Sequence, residues 1–230
     1  MLNGKNFLAI IPARGGSKRL PHKNVLNLAG KPLIGWSIDA ALQSNYIDKV
    51  IVSSDDEKIL NIAKQFGSNT IKRPDILASD IATSFDAIEH TIANTEPYDY
   101  IVLLQPTSPL RTAVNIDEAI ELLIDKNANS IVSVSEMEHS PLWSNTLPND
   151  DNMSHFIRDE IKNTRSQDLQ KFYRLNGAIY ICKTSELLNN KSFFLKTSTY
   201  AYRMSRESSI DIDEEMDFKI AEIFAKEINE

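Results

Sequence analysis

Two groups of residues in this chain could do chemistry together. In the run PARGGSKRLPHKN, the cations Arg14, Lys18, Arg19 and Lys23 surround the pair Gly15-Gly16. Residues 1–38 hold six Lys or Arg and no Asp or Glu, although the whole chain carries a formal charge of −7. Glycines let backbone N–H groups approach a phosphate closely, and flanking cations neutralise it. A basic loop on an acidic protein focuses its field on a compact polyanion, and this one is long enough to wrap a triphosphate. Near the other end, SSIDID sets Asp211 and Asp213 two residues apart, on one face of an extended segment. Two carboxylates completed by substrate phosphates form a hard-oxygen site suited to Mg²⁺, or to Mn²⁺. Asp213 can also cap the final helix, and Asp217 is a weaker third acid that orients the site or that helix.

Neither familiar phosphate loop is present. The chain lacks the G-x-x-x-x-G-K-[ST] spacing, and Pro21 would break a helix running through the loop. It also lacks G-x-G-x-x-G. What remains is an irregular strand-to-loop cradle. No zinc spacing and no G-x-S-x-G elbow occur; the four histidines are scattered.

Strands and helices must alternate to position these groups. Phe7–Ile11 is an unbroken apolar run, as in a strand buried on both faces, and Pro12 ends it. A helical pattern follows Pro32, then a strand over 49–54, then a helix stopped near Gly67. Such alternation predicts a parallel sheet. Asp55 and Asp56 follow a strand's carboxyl end, where α/β sheets bind ligands; capping the next helix is the simpler role. Asp80 or Thr83 caps a helix over about 84–93. Tyr100–Leu104 is a second buried strand. The turn after it, Gln105-Pro-Thr-Ser-Pro-Leu-Arg111, is stiffened by two prolines and can present Gln105 to a base edge or a sugar. A helix over 114–126 and a strand over 130–134 follow. From 136 to 172 periodicity fades, and a stretch that long without structure is usually functional. The core resumes with the strand RLNGAIYI and ends in a helix.

At 230 residues, 42% of them hydrophobic, one α/β domain with a small insert is expected. The acidic balance argues against nucleic acid as the partner. No apolar run reaches the roughly 20 residues that span a bilayer, so no membrane role is expected. The one cysteine, Cys182, lies in an apolar run and reads as a buried structural thiol. A cytoplasmic protein is the simplest expectation.

PARGGSKRLPHKN followed by LAGKPLIGWSI resembles the N-terminal signature of CMP-sialic acid synthetases, the acylneuraminate (nonulosonate) cytidylyltransferases. LQPTSPLR, RLNGAIYI and SIDIDEEMDF resemble that family's later motifs, so the likeness spans residues 8 to about 218. The resemblance implies an α/β fold of the nucleotide-diphospho-sugar transferase type: a mostly parallel, Rossmann-like sheet with flanking helices. Residues 1–136 and 173–230 would form the core, and 137–172 a dimerisation arm at the sugar site. It implies transfer of CMP from CTP to the anomeric hydroxyl of a nine-carbon 2-keto acid sugar, N-acetylneuraminic or legionaminic, by a homodimer with shared active sites. Arg14, Lys18, Lys23, Asp211 and Asp213 would be catalytic. Ala13, Gly15, Gly16, Ser17, Asn24, Arg73, Ser84 and Gln105 would join Arg14, Lys18 and Lys23 around the nucleotide. Gln105, Arg165, Asn176, Gly177, Tyr180, Phe193 and Phe194 would hold the sugar. A transferase of KDO or another sugar, or a non-catalytic nucleotide-binding protein of this fold, are the alternatives.

Overall fold

The computed structural model describes residues 1–78 and 82–229. Asp80, one of the two expected helix caps, lies outside them. The strands in chain order are β1 (Phe7–Pro12), β2 (Asn27–Leu28), β3 (Lys31–Pro32), β4 (Lys49–Ser54), β5 (Asn69–Lys72), β6 (Tyr100–Leu103), β7 (Ser130–Glu136), β8 (Tyr173–Lys183) and β9 (Thr199–Met204). The helices are α1 (Leu33–Leu42), α2 (Glu57–Gln65), α3 (Ser84–Ala93), α4 (Ala113–Asp125), α5 (Thr184–Asn190) and α6 (Glu215–Asn229).

Seven strands form one sheet in the order β5-β4-β1-β6-β8-β7-β9, while β2 and β3 make a small hairpin. β5, β4, β1 and β6 run parallel, and β9 is parallel to β7. β8 runs antiparallel between β6 and β7. The apolar run of β1 is fully buried, as expected of a central strand covered on both faces. On one face α1, α2 and α4 pack against it through Ile34, Ile38, Ile59, Ile120 and their neighbours. On the other, Ile88 of α3 and Leu187 of α5 meet Leu8, Ile10 and Leu103. α6 closes a third cluster with Leu28, Trp36, Leu110 and Ile212.

Several local expectations are met by identifiable contacts. Asp56 caps α2, accepting from the amides of Lys58 (2.7 Å) and Ile59. Thr83 caps α3 in a capping box with Asp86. Pro32 precedes α1 as its cap residue rather than sitting inside its first turn. The sequence reading did not anticipate the hairpin β2–β3, the helix α5 or two strands of the main sheet: β5 is a short edge of mixed polarity, and β9 alternates weakly (TYAYRM). Between β7 and β8, the segment 137–172 contains only 3-10 turns among the described residues.

The carboxyl ends of β1, β4 and β6 open onto one edge of the sheet. At the same edge, where the Ser108 hydroxyl donates to its carbonyl (3.1 Å), Asn176 ties three strands together. Its Oδ1 accepts from Ser133 Oγ (2.6 Å) and the Ala178 amide (3.2 Å), and its Nδ2 donates to Ser209 Oγ (2.9 Å) and approaches Met204 Sδ (3.3 Å). With 1% exposure, this side chain lies in the interior, and Asn176, expected to face a sugar, is not among the residues lining the cleft at this edge. Asn176→Ala would take one hydrogen-bond partner each from the Ser133 and Ser209 hydroxyls and from the Ala178 amide. It is expected to cost about 2–4 kcal/mol, measured by urea unfolding; a loss below ~0.5 kcal/mol, the scale of an ordinary surface change, would contradict the bracing role.

Candidate functional site

The edge at the ends of β1, β4 and β6 carries a cleft with two joined lobes. The first, about 510 Å³, is lined by Arg14, Arg73, Ser84 and Gln105 on one side and Asp211 and Asp213 on another. The second, about 390 Å³, adds Ser17, Lys18, Lys23 and Asn24; Arg14, Arg19, Thr107 and Asp213 border both. The N-terminal basic loop and the C-terminal acids, almost 200 residues apart in sequence, therefore share one cavity.

The loop is held open by its neighbours. The Ala13 amide donates to the Ser53 carbonyl (2.9 Å), and the Gly15 amide to Asp55 Oδ1 (3.2 Å). A Cβ on Gly15 would meet Asp56 Oδ2 at 2.8 Å, so a side chain is excluded there. Gly16 faces open space instead. The Ser17 amide turns back to the Gly15 carbonyl (3.1 Å), and Asn24 Nδ2 holds the Arg14 carbonyl (3.0 Å). Asp55 does more than follow a strand. It also lies 3.5 Å from an Arg73 Nη, coupling the loop to the first lobe's wall. Arg73 is 5% exposed and its Nε has no partner. Burial pulls its guanidinium below the usual range, and Asp55 opposes that shift.

Lys23 is buried at the junction. Its Nζ donates to the Ile212 carbonyl and lies 3.7 Å from Asp213 Oδ1. Burial lowers its pKa; Asp213 and Asp211 counter that in part. Arg19 Nη1 bonds Asp213 Oδ2 at 3.0 Å. Asp213 is thus engaged by cations rather than capping α6. The backward cap comes from Asp217, whose Oδ2 accepts from the amides of Asp213 (3.0 Å) and Glu214 (2.8 Å). Asp211 is the more buried acid, and its Oδ1 has no hydrogen-bond partner. Burial raises its pKa, Thr107 lowers it, and the like charge of Asp213 raises it again. A buried carboxylate oxygen without a partner, next to a second carboxylate, fits a divalent cation completed by phosphate oxygens. Among the described residues no cluster of three or more His, Cys, Asp or Glu could hold a metal by itself.

Gln105 begins the proline turn over the cleft. Its carbonyl accepts from an Arg111 Nη (2.5 Å), and the other Arg111 Nη reaches the Ser108 carbonyl (2.8 Å); both bond Ser37 Oγ at 3.0 Å. Arg111 is 2% exposed with no carboxylate partner, and burial lowers its pKa to about 9, so it stays cationic at neutral pH. Gly177, at φ +72°, supports Gln105 from below. A Cβ there would meet Gln105 Oε1 at 2.7 Å and Asp211 Oδ2 at 3.7 Å. Tyr180 is half-buried, with ring centroids 5.5 Å from Phe193 and 6.4 Å from Phe194. The two phenylalanines differ: Phe193 is core at 8% exposure, and Phe194 is 53% exposed. Arg165 is not among the residues lining either lobe.

Sequence reading favoured a capping role for Asp55 and passed over Thr107 and Arg111. Asp55 shared its signal with its neighbour Asp56, the true cap. Thr107 and Arg111 lie inside a motif read only for its glutamine and prolines.

A basic strand-end loop facing paired acids across one cleft is a lining suited to a phosphorylated, anionic ligand. The comparisons narrow it. A family model described as Cytidylyltransferase matches residues 8–228. The chain is 41% identical over 213 residues to the N-acylneuraminate cytidylyltransferase of Streptococcus agalactiae serotype V, covering 92% of this chain but 51% of that protein. It is thus about half that relative's length. It is 36% identical to the CMP-N,N'-diacetyllegionaminic acid synthase of Legionella pneumophila, covering 94% of each chain. A solved CMP:2-keto-3-deoxy-manno-octonic acid synthetase complexed with CTP superposes with a TM-score of 0.74 at 17% identity, over 97% of this chain and 99% of that one, and shows the shared fold. The chain belongs to the cytidylyltransferase family.

The strained acid gives a test without substrate. Asp211 keeps its charge in the fold at a cost, because its folded pKa lies above the unfolded one. Asp211→Asn should therefore raise the melting temperature at neutral pH. The gain should shrink as pH falls through the raised pKa and vanish below the ordinary carboxylate range. A variant less stable than the parent at pH 7 would contradict this.

Proposed function

We propose that this chain transfers CMP from CTP to the anomeric hydroxyl of a nonulosonic acid, N-acetylneuraminic or legionaminic, releasing pyrophosphate. The observation that carries the proposal is the buried, unpartnered Oδ1 of Asp211 beside Asp213, facing the basic loop across one cleft. The names of the relatives support the choice of nucleotide and acid.

The anomeric oxygen attacks the α-phosphorus, and the bond from that phosphorus to the oxygen bridging the β-phosphate breaks. Positioning and charge neutralisation carry such a step. Arg14, Lys18 and Lys23 hold the triphosphate and take up the charge growing on pyrophosphate. Arg73 and Ser84 line the lobe that receives the cytidine. Asp211 and Asp213 would hold Mg²⁺, which when bound would shield the α-phosphate and acidify the attacking hydroxyl. Gln105, fixed by Arg111 and Gly177, points a neutral amide at the border between nucleotide and sugar. Tyr180 and the exposed Phe194 edge the sugar side.

On the same proposal, 137–172 is a dimerisation arm that carries Arg165 to a partner's sugar site. This is supported by the arm's lack of helices and strands and by Leu147 and Met153, more than half exposed. The enzyme is cytoplasmic on this view. No described helix is long and apolar enough to cross a membrane.

Pyrophosphate release should appear with CTP, Mg²⁺ and one nonulosonic acid, and stop with EDTA. N-acetylneuraminic, legionaminic and pseudaminic acids and KDO are assayed in parallel. Signal with KDO alone would reassign the acceptor, and CTP binding without turnover in every well would favour a binding protein. Lys18→Ala should weaken CTP binding about tenfold or less, with a shallower dependence on salt. An unchanged affinity at every salt concentration would place the triphosphate elsewhere.

A further inference from the structure

Arg19 is the loop cation that the proposed function leaves without a task. With Arg19 Nη1 3.0 Å from Asp213 Oδ2 and Lys23 Nζ 3.7 Å from Oδ1, both oxygens of this carboxylate are engaged by cations. The two cations are not equivalent. The Lys23 side chain is 10% exposed and anchored on the Ile212 carbonyl, whereas the Arg19 side chain is 63% exposed. An ion pair this open to water is weak and exchanges readily. Arg19 also borders both lobes, so a guanidinium released from Asp213 is already in the cleft. Its planar fork matches phosphate oxygens as well as it matches a carboxylate.

We propose that Arg19 is an exchangeable counter-ion. It neutralises Asp213 in the empty cleft and passes to the nucleotide's phosphates when a divalent cation takes the carboxylate. The inference rests on the assignment of Asp211 and Asp213 to the metal. It makes Arg19 a coupling device. A divalent cation arriving alone displaces Arg19 and leaves it nothing to pair with. One arriving with a triphosphate gives it a new partner. Each ligand therefore favours the other, and by linkage the two effects are equal.

The test is equilibrium binding rather than turnover. Mn²⁺ is titrated without nucleotide, the free ion being followed by electron paramagnetic resonance, and CTP binding is measured by calorimetry with saturating Mg²⁺ and with EDTA, no sugar being present. In Arg19→Gln, Mn²⁺ alone should bind several-fold more tightly than in the parent, and the gain in CTP affinity from Mg²⁺ should fall about tenfold. Arg19→Lys should lie between. Mn²⁺ binding that is unchanged or weaker in Arg19→Gln overturns the exchange. Asp213→Asn separates the two layers: it should lose Mn²⁺ binding. Parental Mn²⁺ affinity in that variant would remove the metal assignment, and the exchange with it.

Discussion

One buried ammonium joins the two ends of the chain. Lys23 Nζ reaches the carbonyl of Ile212, the residue between the two acids, and faces Asp213 at 3.7 Å. Taking a lysine out of water is costly unless nearby negative charge compensates. Bringing two carboxylates close together is costly for the opposite reason. Each arrangement is tolerable because of the other. The 3-10 turn at Lys23–Val25 and the extended segment before α6 are fixed against each other by this exchange of charge. The Ile212 amide adds a 2.7 Å bond to the Thr107 carbonyl, which ties the proline turn to the same point.

The proline turn shows a different solution to a similar problem. Arg111 is a fully buried cation whose partners are two carbonyls and a hydroxyl, with no carboxylate among them. A nearby carboxylate would add a negative charge at the edge where the proposed function seats the phosphates. Backbone carbonyls supply partial charges instead. They belong to Gln105 and Ser108, so the same bonds that partner the arginine also set the shape of the turn.

The parts of the fold driven by strong, local signals were legible in the sequence. β1 and β6 are short apolar runs ending at proline-containing turns, and the helices other than the short α5 carry periodicity or caps. β5 and β9 were not legible, because edge strands with one polar face alternate weakly and gain their order from a neighbour. The antiparallel direction of β8 was also hidden: periodicity reports which face a residue takes, not which way its strand runs. Of the residues that line the cleft, the sequence exposed those whose charge has no obvious local use, such as Arg14, Lys18 and Asp211. It concealed those with a plausible local role. Asp55 looked like a helix cap, and nothing in the sequence around Asn176 showed that its amide is engaged inside the protein. Their roles depend on partners far along the chain, 40 residues for Asp55 and Gly15 and 43 for Asn176 and Ser133, or on the crossing of strands, which spacing does not encode.

The direction of β8 has a further consequence. β7 and β8 are adjacent and antiparallel, paired from Glu136 against Tyr173 inward. The segment 137–172 leaves and rejoins the sheet at a single point, so in topological terms it is an oversized hairpin loop. The entropy of closing such a loop grows only with the logarithm of its length. Lengthening, shortening or rewriting it therefore perturbs the sheet very little. The molecule is divided into a part that tolerates almost no change, where Lys23, Arg111 and Gly177 interlock, and a part free to vary. A lineage could rewrite this loop, none of whose described residues lines the cleft, and leave the lining of the cleft untouched.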